Sequence, residues 1–180
     1  MHRRALVIAL MGSASTLPAW AGLDVGEAAP DFTLPAALAG QRIDYSLSAA
    51  LARGPVVLYF FPLAFSEGCS IEAHSFAEAV PAFAALGASV VGVSTDDIET
   101  LQRFSVQACN GKFPVASDPA RTVVQAFDAA MQTRPDHANR ISYLIAPDGK
   151  VVASYLNLNP QRHVERMRAA LERWRATPAR

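Results

Sequence analysis

A cysteine placed just beyond a buried strand is the residue best suited to chemistry in this chain. The apolar run Val56 to Phe61 ends at Pro62, and Ser66 and Cys69 follow directly. Ser70 to Phe83 carries apolar residues at roughly helical intervals, which puts Cys69 where a helix begins. A sulfur there meets unpaired backbone N–H groups and the positive end of the helix macrodipole. Both favour thiolate over thiol, and the thiolate is the nucleophile. The competing reading is an inert buried cysteine.

A second cysteine, Cys109, completes the sulfur inventory. In an exported protein such a pair is either a structural disulfide or a redox pair. A domain of this length has enough core to fold without a staple, so a chemical role is at least as natural. His74, His137 and His163 show no metal-ligand spacing and read as structural or solvated residues. No metal or cofactor is expected.

The elements that must position Cys69 alternate along the chain. Gly26 to Leu34 reads as a turn into a short strand, the stretch through Gly40 as irregular, and Ser46 to Ala52 as one or two helical turns. Val56 to Phe61, bounded by Gly54-Pro55 and Pro62, suits a central strand buried on both faces. Pro81 predicts a kink or restart in the following helix. Ala88 to Ser94 is a second buried strand, and Asp96 or Asp97 caps a helix to about Ala108. A short strand over Phe113–Ala116 precedes a helix from Asp118-Pro119 to about Ala130. Ile141–Ala146 and Lys150–Leu156 are strands joined by a Pro147-Asp148-Gly149 hairpin, and an amphipathic helix runs from Asn159 or Pro160 through Trp174. The pattern predicts one α/β domain with a mixed central sheet flanked by helices.

Bulk properties narrow the function. The 180 residues hold 16 basic and 16 acidic side chains, with no basic stripe interleaved with aromatics, which argues against a nucleic-acid partner. The arginines after Gln161 alternate with Glu165 and Glu172 on a solvated helix face. Arg3-Arg4, the apolar Ala5 to Leu17 and Ala19-Trp20-Ala21 form the pattern of a cleaved secretory signal peptide over residues 1–21. A retained anchor is the alternative. Residues 22–180 would then be an exported, periplasmic domain, with no other stretch able to span a membrane.

Within that frame the chain resembles the peroxiredoxins of the AhpC/TSA superfamily, thiol peroxidases on a thioredoxin-like fold, and among them the bacterioferritin comigratory protein or PrxQ-type group. Pro62, Ser66 and Cys69 match the family motif Pro-x-x-x-Thr/Ser-x-x-Cys, and Glu72 matches a glutamate common in the group. Ala29 to Leu34, Val91 to Asp96, Phe113 to Asp118 and Arg140 to Gly149 match further family segments in order. The resemblance implies Cys69 as peroxidatic nucleophile, with Ser66 offering its hydroxyl to the sulfur or the peroxide. It places Arg140 as the active-site cation and Pro62 as a shield against bulk water. Glu72 either orients Arg140 or is a solvated first-turn acid. The implied partners are a peroxide substrate and a thiol reductant, either a thioredoxin-like protein or a small thiol, acting on a monomer or weak dimer.

One position departs from the group. Many members carry a resolving cysteine five residues after the first, where this chain has His74. Cys109 is the remaining candidate resolver, near a helix end beside Asn110-Gly111; an external thiol and a purely structural cysteine are the alternatives. A thioredoxin-like disulfide oxidoreductase would want Cys-x-x-Cys, and Glu72 stands at that second position. A non-catalytic metal-handling module would want paired soft ligands, which the sequence does not supply.

Overall fold

The computed structural model of the chain describes residues 22–177. The expected leader, residues 1–21, lies outside the described residues.

The fold is built around β3 (Val56–Phe60), every residue of which is buried. Its alternation explains the unbroken apolar run. Val57, Tyr59 and, just beyond the strand, Phe61 point into one core cluster, while Val56, Leu58 and Phe60 point into another. β3 pairs in parallel with β4 (Ser89–Ser94), which pairs in parallel with β5 (Val115–Ser117). On its other side β3 meets β8 (Ile141–Ile145) antiparallel, and β8 pairs with β9 (Val151–Leu156). The far edge is an antiparallel hairpin of β1 (Thr33–Leu38) and β2 (Gln41–Ser46). The seven-stranded order is β2-β1-β5-β4-β3-β8-β9.

Helices cover both faces, making a single α/β domain of the thioredoxin-like type. The first cluster lies under α2 (Glu67–Ala85), α3 (Ile98–Gln107) and α5 (Gln161–Ala176). The second lies under α1 (Leu47–Leu51) and α4 (Thr122–Ala126). Caps follow the sequence where polar residues precede helices: the N–H of Ala49 donates to Ser46 Oγ, and that of Thr100 to Asp97 Oδ1 at 2.7 Å.

Four expectations need correction. Residues through Gly40 are not irregular but form the β1–β2 hairpin. Pro81 does not restart the helix, since α2 continues through it as one element. The strand expected at Phe113 begins at Val115. The helix expected from Asp118 to Ala130 shrinks to Thr122–Ala126, because Arg121 adopts φ 61° and interrupts it. Asp118 still caps, from outside the helix: its carboxylate accepts the N–H groups of Thr122, Val123 and Val124. Beyond α4, a small hairpin of β6 (Ala130–Met131) and β7 (Arg134–Ala138) leads the chain into Arg140. Among the described residues, no helix is long and apolar enough to cross a membrane.

Candidate active site

Cys69 is the third residue of α2, in the helix's first turn, and only 1% exposed. The loop that delivers it is tied down at several points. The N–H of Phe61 donates to Val93 O at 3.1 Å, and that of Ala64 to Asp96 Oδ2 at 2.8 Å. The same carboxylate oxygen accepts the Ser94 hydroxyl at 2.8 Å, so Asp96 fastens the loop while its neighbour Asp97 caps α3. Half-buried Pro62 turns the chain out of β3. Phe65 adopts φ 64°, a left-handed conformation that a bulky residue holds only at a cost of about 1–3 kcal/mol. Its ring meets Phe104 edge-on at 5.3 Å, which helps hold that conformation.

Ser66 occupies the N-cap of α2, but its side chain makes no cap bond. The hydroxyl donates instead to Leu63 O at 3.0 Å, leaving its oxygen lone pairs free to accept. The first-turn N–H groups around Cys69 therefore take no side-chain cap, the condition in which a helix N-terminus attracts negative charge.

Arg140 reaches the site from the turn before β8. Its Nη2 donates to Cys69 Sγ at 3.4 Å, and Nη1 donates to Gly68 O at 3.4 Å and to Glu72 Oε2. One planar fork thus joins the sulfur, the helix backbone and a carboxylate. The approach depends on residue 68 being glycine, since a Cβ there would lie 3.0 Å from Arg140 Nη2.

Glu72 is completely buried one turn beyond Cys69, so the solvated first-turn alternative does not describe it. Burial pushes its carboxyl up to about 8, against the downward pull of the adjacent Arg140. Oε1 has no hydrogen-bond partner, and the nearest basic atom recorded to it is His163 Nδ1 at 3.6 Å.

His163, one of the histidines that reads in sequence as structural or solvated, is fully buried on the inner face of α5 with Met167, Ala170 and Leu171. Its Nε2 faces Asn157 O at 2.9 Å and its Nδ1 faces Ser142 Oγ at 2.8 Å. Burial holds the imidazole down at about 4, with the Asn157 hydrogen bond acting in the opposite direction. The available signal was positional: His163, Met167, Ala170 and Leu171 share one helical stripe.

Cys109 follows the C-terminus of α3, fully buried in the same core cluster as Cys69. Both thiols are free. Burial pushes the Cys109 thiol well up, so it rests protonated. Asn110 and Gly111 continue in left-handed conformations, φ 50° and 64°. Asn110 Nδ2 lies 3.4 Å from Nδ1 of His74, which joins the loop after Cys109 to α2. A cleft of about 510 Å³ opens between these elements, lined by Phe65, Ile71, His74 and Ala108 among others. His137 lies away from this centre, beside Arg134 and Asp136 on β7. Among the described residues, no cluster of three potential metal ligands occurs.

A thioredoxin-like sheet with a buried cysteine in the first turn of a helix, bonded to an arginine fork, defines a thiol-based redox enzyme. The chain belongs to the AhpC/TSA family, matching it over residues 25–154. It is 31% identical to Peroxiredoxin Bcp of Escherichia coli over 134 residues, 72% of this chain and 83% of that protein. It is 28% identical to Peroxiredoxin Bcp of Xanthomonas campestris over 149 residues, 80% and 91% of the two chains. The crystal structure of peroxidoxin BcpB from Mycobacterium tuberculosis superposes with a TM-score of 0.75 at 30% identity, covering 86% of this chain and 98% of that one. The protein is a thiol-dependent peroxidase, an oxidoreductase of the peroxiredoxin type.

Proposed function

We propose that Cys69 is the peroxidatic nucleophile, reducing hydrogen peroxide or organic hydroperoxides. Its sulfur attacks one oxygen of the O–O bond; an S–O bond forms, the O–O bond breaks, and the electron pair leaves on the departing oxygen. That oxygen takes a proton and leaves as water or alcohol, while Cys69 becomes a sulfenic acid. The observation that carries this reading is the 3.4 Å contact between Arg140 Nη2 and Cys69 Sγ. A guanidinium there stabilises negative charge on the sulfur and, through its remaining donors, on the peroxide. Ser66 accepts from or donates to the peroxide, and Pro62 limits access of bulk water.

Cys109 then resolves the sulfenic acid: its thiol attacks Cys69, an S–S bond forms and water leaves. Its place in the same core cluster and the left-handed turn beside it support this assignment. A thioredoxin-like protein or a small thiol returns the disulfide to two thiols. The leader pattern over residues 1–21 supports export to the periplasm, and the working form is a monomer or weak dimer.

Peroxide consumption by the reduced protein tests the assignment. Cys69→Ser is expected to abolish it, and wild-type turnover by that variant overturns the reading. Cys109→Ser is expected to keep the first turnover but lose recycling by a dithiol protein.

A further inference from the structure

With Cys109 as the resolving thiol, α3 meets two opposed demands. Both thiols are free and buried, and the end of the helix is expected to open as their disulfide forms. The middle of the helix has to stay, because the nucleophile's loop leans on it. Phe104 stacks on Phe61 at 5.3 Å and meets Phe65 edge-on at 5.3 Å. Those two rings bracket the turn that leads from β3 to Cys69. A helix that melted as a whole would carry Phe104 away from the loop it supports.

The hairpin turn between β1 and β2 separates the two demands. Ala39 and Gly40 form it, both left-handed at φ 49° and 81°, as the twist of a two-residue hairpin requires. Gly40 lies outside both strands, and side chains of α3 take up both of its backbone groups. Its N–H donates to Ser105 Oγ at 2.9 Å, and its carbonyl accepts from Gln102 Nε2 at 2.9 Å. Gln102 and Ser105 are neighbours on one helix face, and the Ser105 hydroxyl donates to Gln102 O at 2.8 Å. Ser105 is fully buried, which shelters these bonds from water and strengthens them. The seat is fitted to glycine, since a Cβ at residue 40 would lie 3.1 Å from Val106 Cγ2.

Beyond Ser105 the attachment changes. The N–H groups of Ala108 and Cys109 share one acceptor, Phe104 O, at 2.9 and 3.3 Å, as at a fraying helix end. Gly111 N–H donates back to Ser105 O at 2.8 Å, and Lys112 N–H to Cys109 O at 2.9 Å. Gly111 itself rests on the turn, where a Cβ would come within 3.1 Å of the Ala39 methyl. We propose that the β1–β2 turn is the anchor of a hinge: α3 stays pinned to the sheet edge through Gln102 and Ser105, and only Val106 to Lys112 swings out when Cys109 bonds Cys69. This inference rests on Cys109 being the resolving thiol. Phe104 then remains against the nucleophile's loop while the second sulfur travels.

Amide hydrogen exchange in the reduced protein, followed by NMR, reads the hinge boundary without any disulfide. The amides of Ala108, Cys109, Gly111 and Lys112 are expected to open together, about tenfold more readily than that of Gly40. A Gly40 amide that exchanges with this group would show the turn leaving with the segment, and overturns the proposal. Gln102→Ala removes one tie and keeps the reporter, so Gly40 exchange is expected to rise about fivefold. An unchanged rate in that variant also overturns the proposal. After peroxide treatment, a loss of two hydrogens in the intact mass reports the disulfide, and the newly exchanging amides should reach back no further than Val106. Exchange that spreads back through Leu101 overturns the hinge. A protein that forms no disulfide overturns Cys109 as resolver instead, and the boundary in the reduced protein still decides the anchor.

Discussion

Gly68 and Arg140 are in close approach: a Cβ at residue 68 would sit 3.0 Å from Nη2, the atom that donates to Cys69, so the fork would have to yield by a few tenths of an ångström. Gly68→Ala should therefore separate activity from stability. Within a helix, alanine is favoured over glycine by up to about 1 kcal/mol, so the fold is expected to hold or tighten. That shift is expected to lengthen the already long 3.4 Å bond to the sulfur, and peroxide consumption should fall about tenfold, the equivalent of about 1.4 kcal/mol in the barrier. Stopped-flow peroxide kinetics alongside thermal denaturation read both quantities, and unchanged kinetics would remove the steric role given to Gly68.

Arg140→Lys keeps the charge and removes the fork. A lysine cannot address the sulfur, Gly68 O and Glu72 together, as the guanidinium does. A lost hydrogen bond to a charged group is worth about 1.5–3 kcal/mol, so the second-order rate with peroxide should drop about 10- to 100-fold. Retention of the wild-type rate would mean that bare charge, not geometry, is what the site uses.

How far the sequence disclosed this site follows from the range of the interactions. The place of Cys69 in the first turn of α2 is legible because β3, its boundary proline and the helical pattern are contiguous, and contiguous signals need no knowledge of tertiary structure. Arg140 was legible through the family segment it opens, not through any periodicity. His163 was not, because a lone histidine on an apolar stripe looks the same whether it fills space or faces a carboxylate from another element. The β1–β2 hairpin was missed because Pro35-Ala36-Ala37-Leu38 lacks the β-branched residues that mark strands, and its pairing with β2 and β5 overrides that propensity. The helix expected from Asp118-Pro119 is shorter for the opposite reason: Arg121 in a left-handed conformation separates that start signal from Thr122–Ala126, and the Asp118 carboxylate caps the helix from outside it.

That remote cap carries its own prediction. The Asp118 carboxylate accepts three backbone N–H groups and the Thr122 hydroxyl while almost fully buried. Asp118→Ala should cost about 2 kcal/mol, at the upper end for a lost cap. For a domain of this size the melting temperature is then expected to fall by roughly 4–8 °C. Calorimetry checks it, and a shift within error would show the cap to be dispensable.

The buried pair also sets a pH signature of stability. The Glu72 carboxyl is raised from 4.5 to about 8 in the fold, so folding favours its protonated form. That contribution is complete below 4.5 and is lost as pH rises through 8. His163 is lowered from 6.5 to about 4, so its contribution is complete above 6.5 and is lost as pH falls through 4. Between 4.5 and 6.5 the two slopes oppose each other, and above 6.5 only Glu72 acts. Unfolding free energy should therefore fall by roughly 2 kcal/mol from pH 6.5 to pH 8, at about 1.4 kcal/mol per unit. Glu72→Gln should flatten that limb in guanidinium titrations, and a slope equal to wild type would assign the effect to other groups.

The last prediction concerns the loop that carries Cys109. Cys69 and Cys109 are both free and buried, and a disulfide between them needs their Cα atoms within about 7 Å, so the end of α3 is expected to open as the bond forms. One tie across that opening is visible: His74, which stands where a nearby resolving cysteine would be, faces Asn110 Nδ2 at 3.4 Å through its Nδ1. Its Nε2 lies 3.3 Å from Glu78 on the exposed face of α2, which orients the ring. A long, partly exposed hydrogen bond of this kind is worth about 1 kcal/mol or less. His74→Ala should therefore raise the opening equilibrium, and with it the rate of disulfide formation after peroxide addition, by about two- to fivefold. Quenched-flow alkylation followed by intact mass, which reads the loss of two hydrogens as the disulfide closes, measures that rate. An unchanged rate would mean that opening does not limit closure, and a slower one that His74 assists the approach of the two sulfurs instead of restraining it.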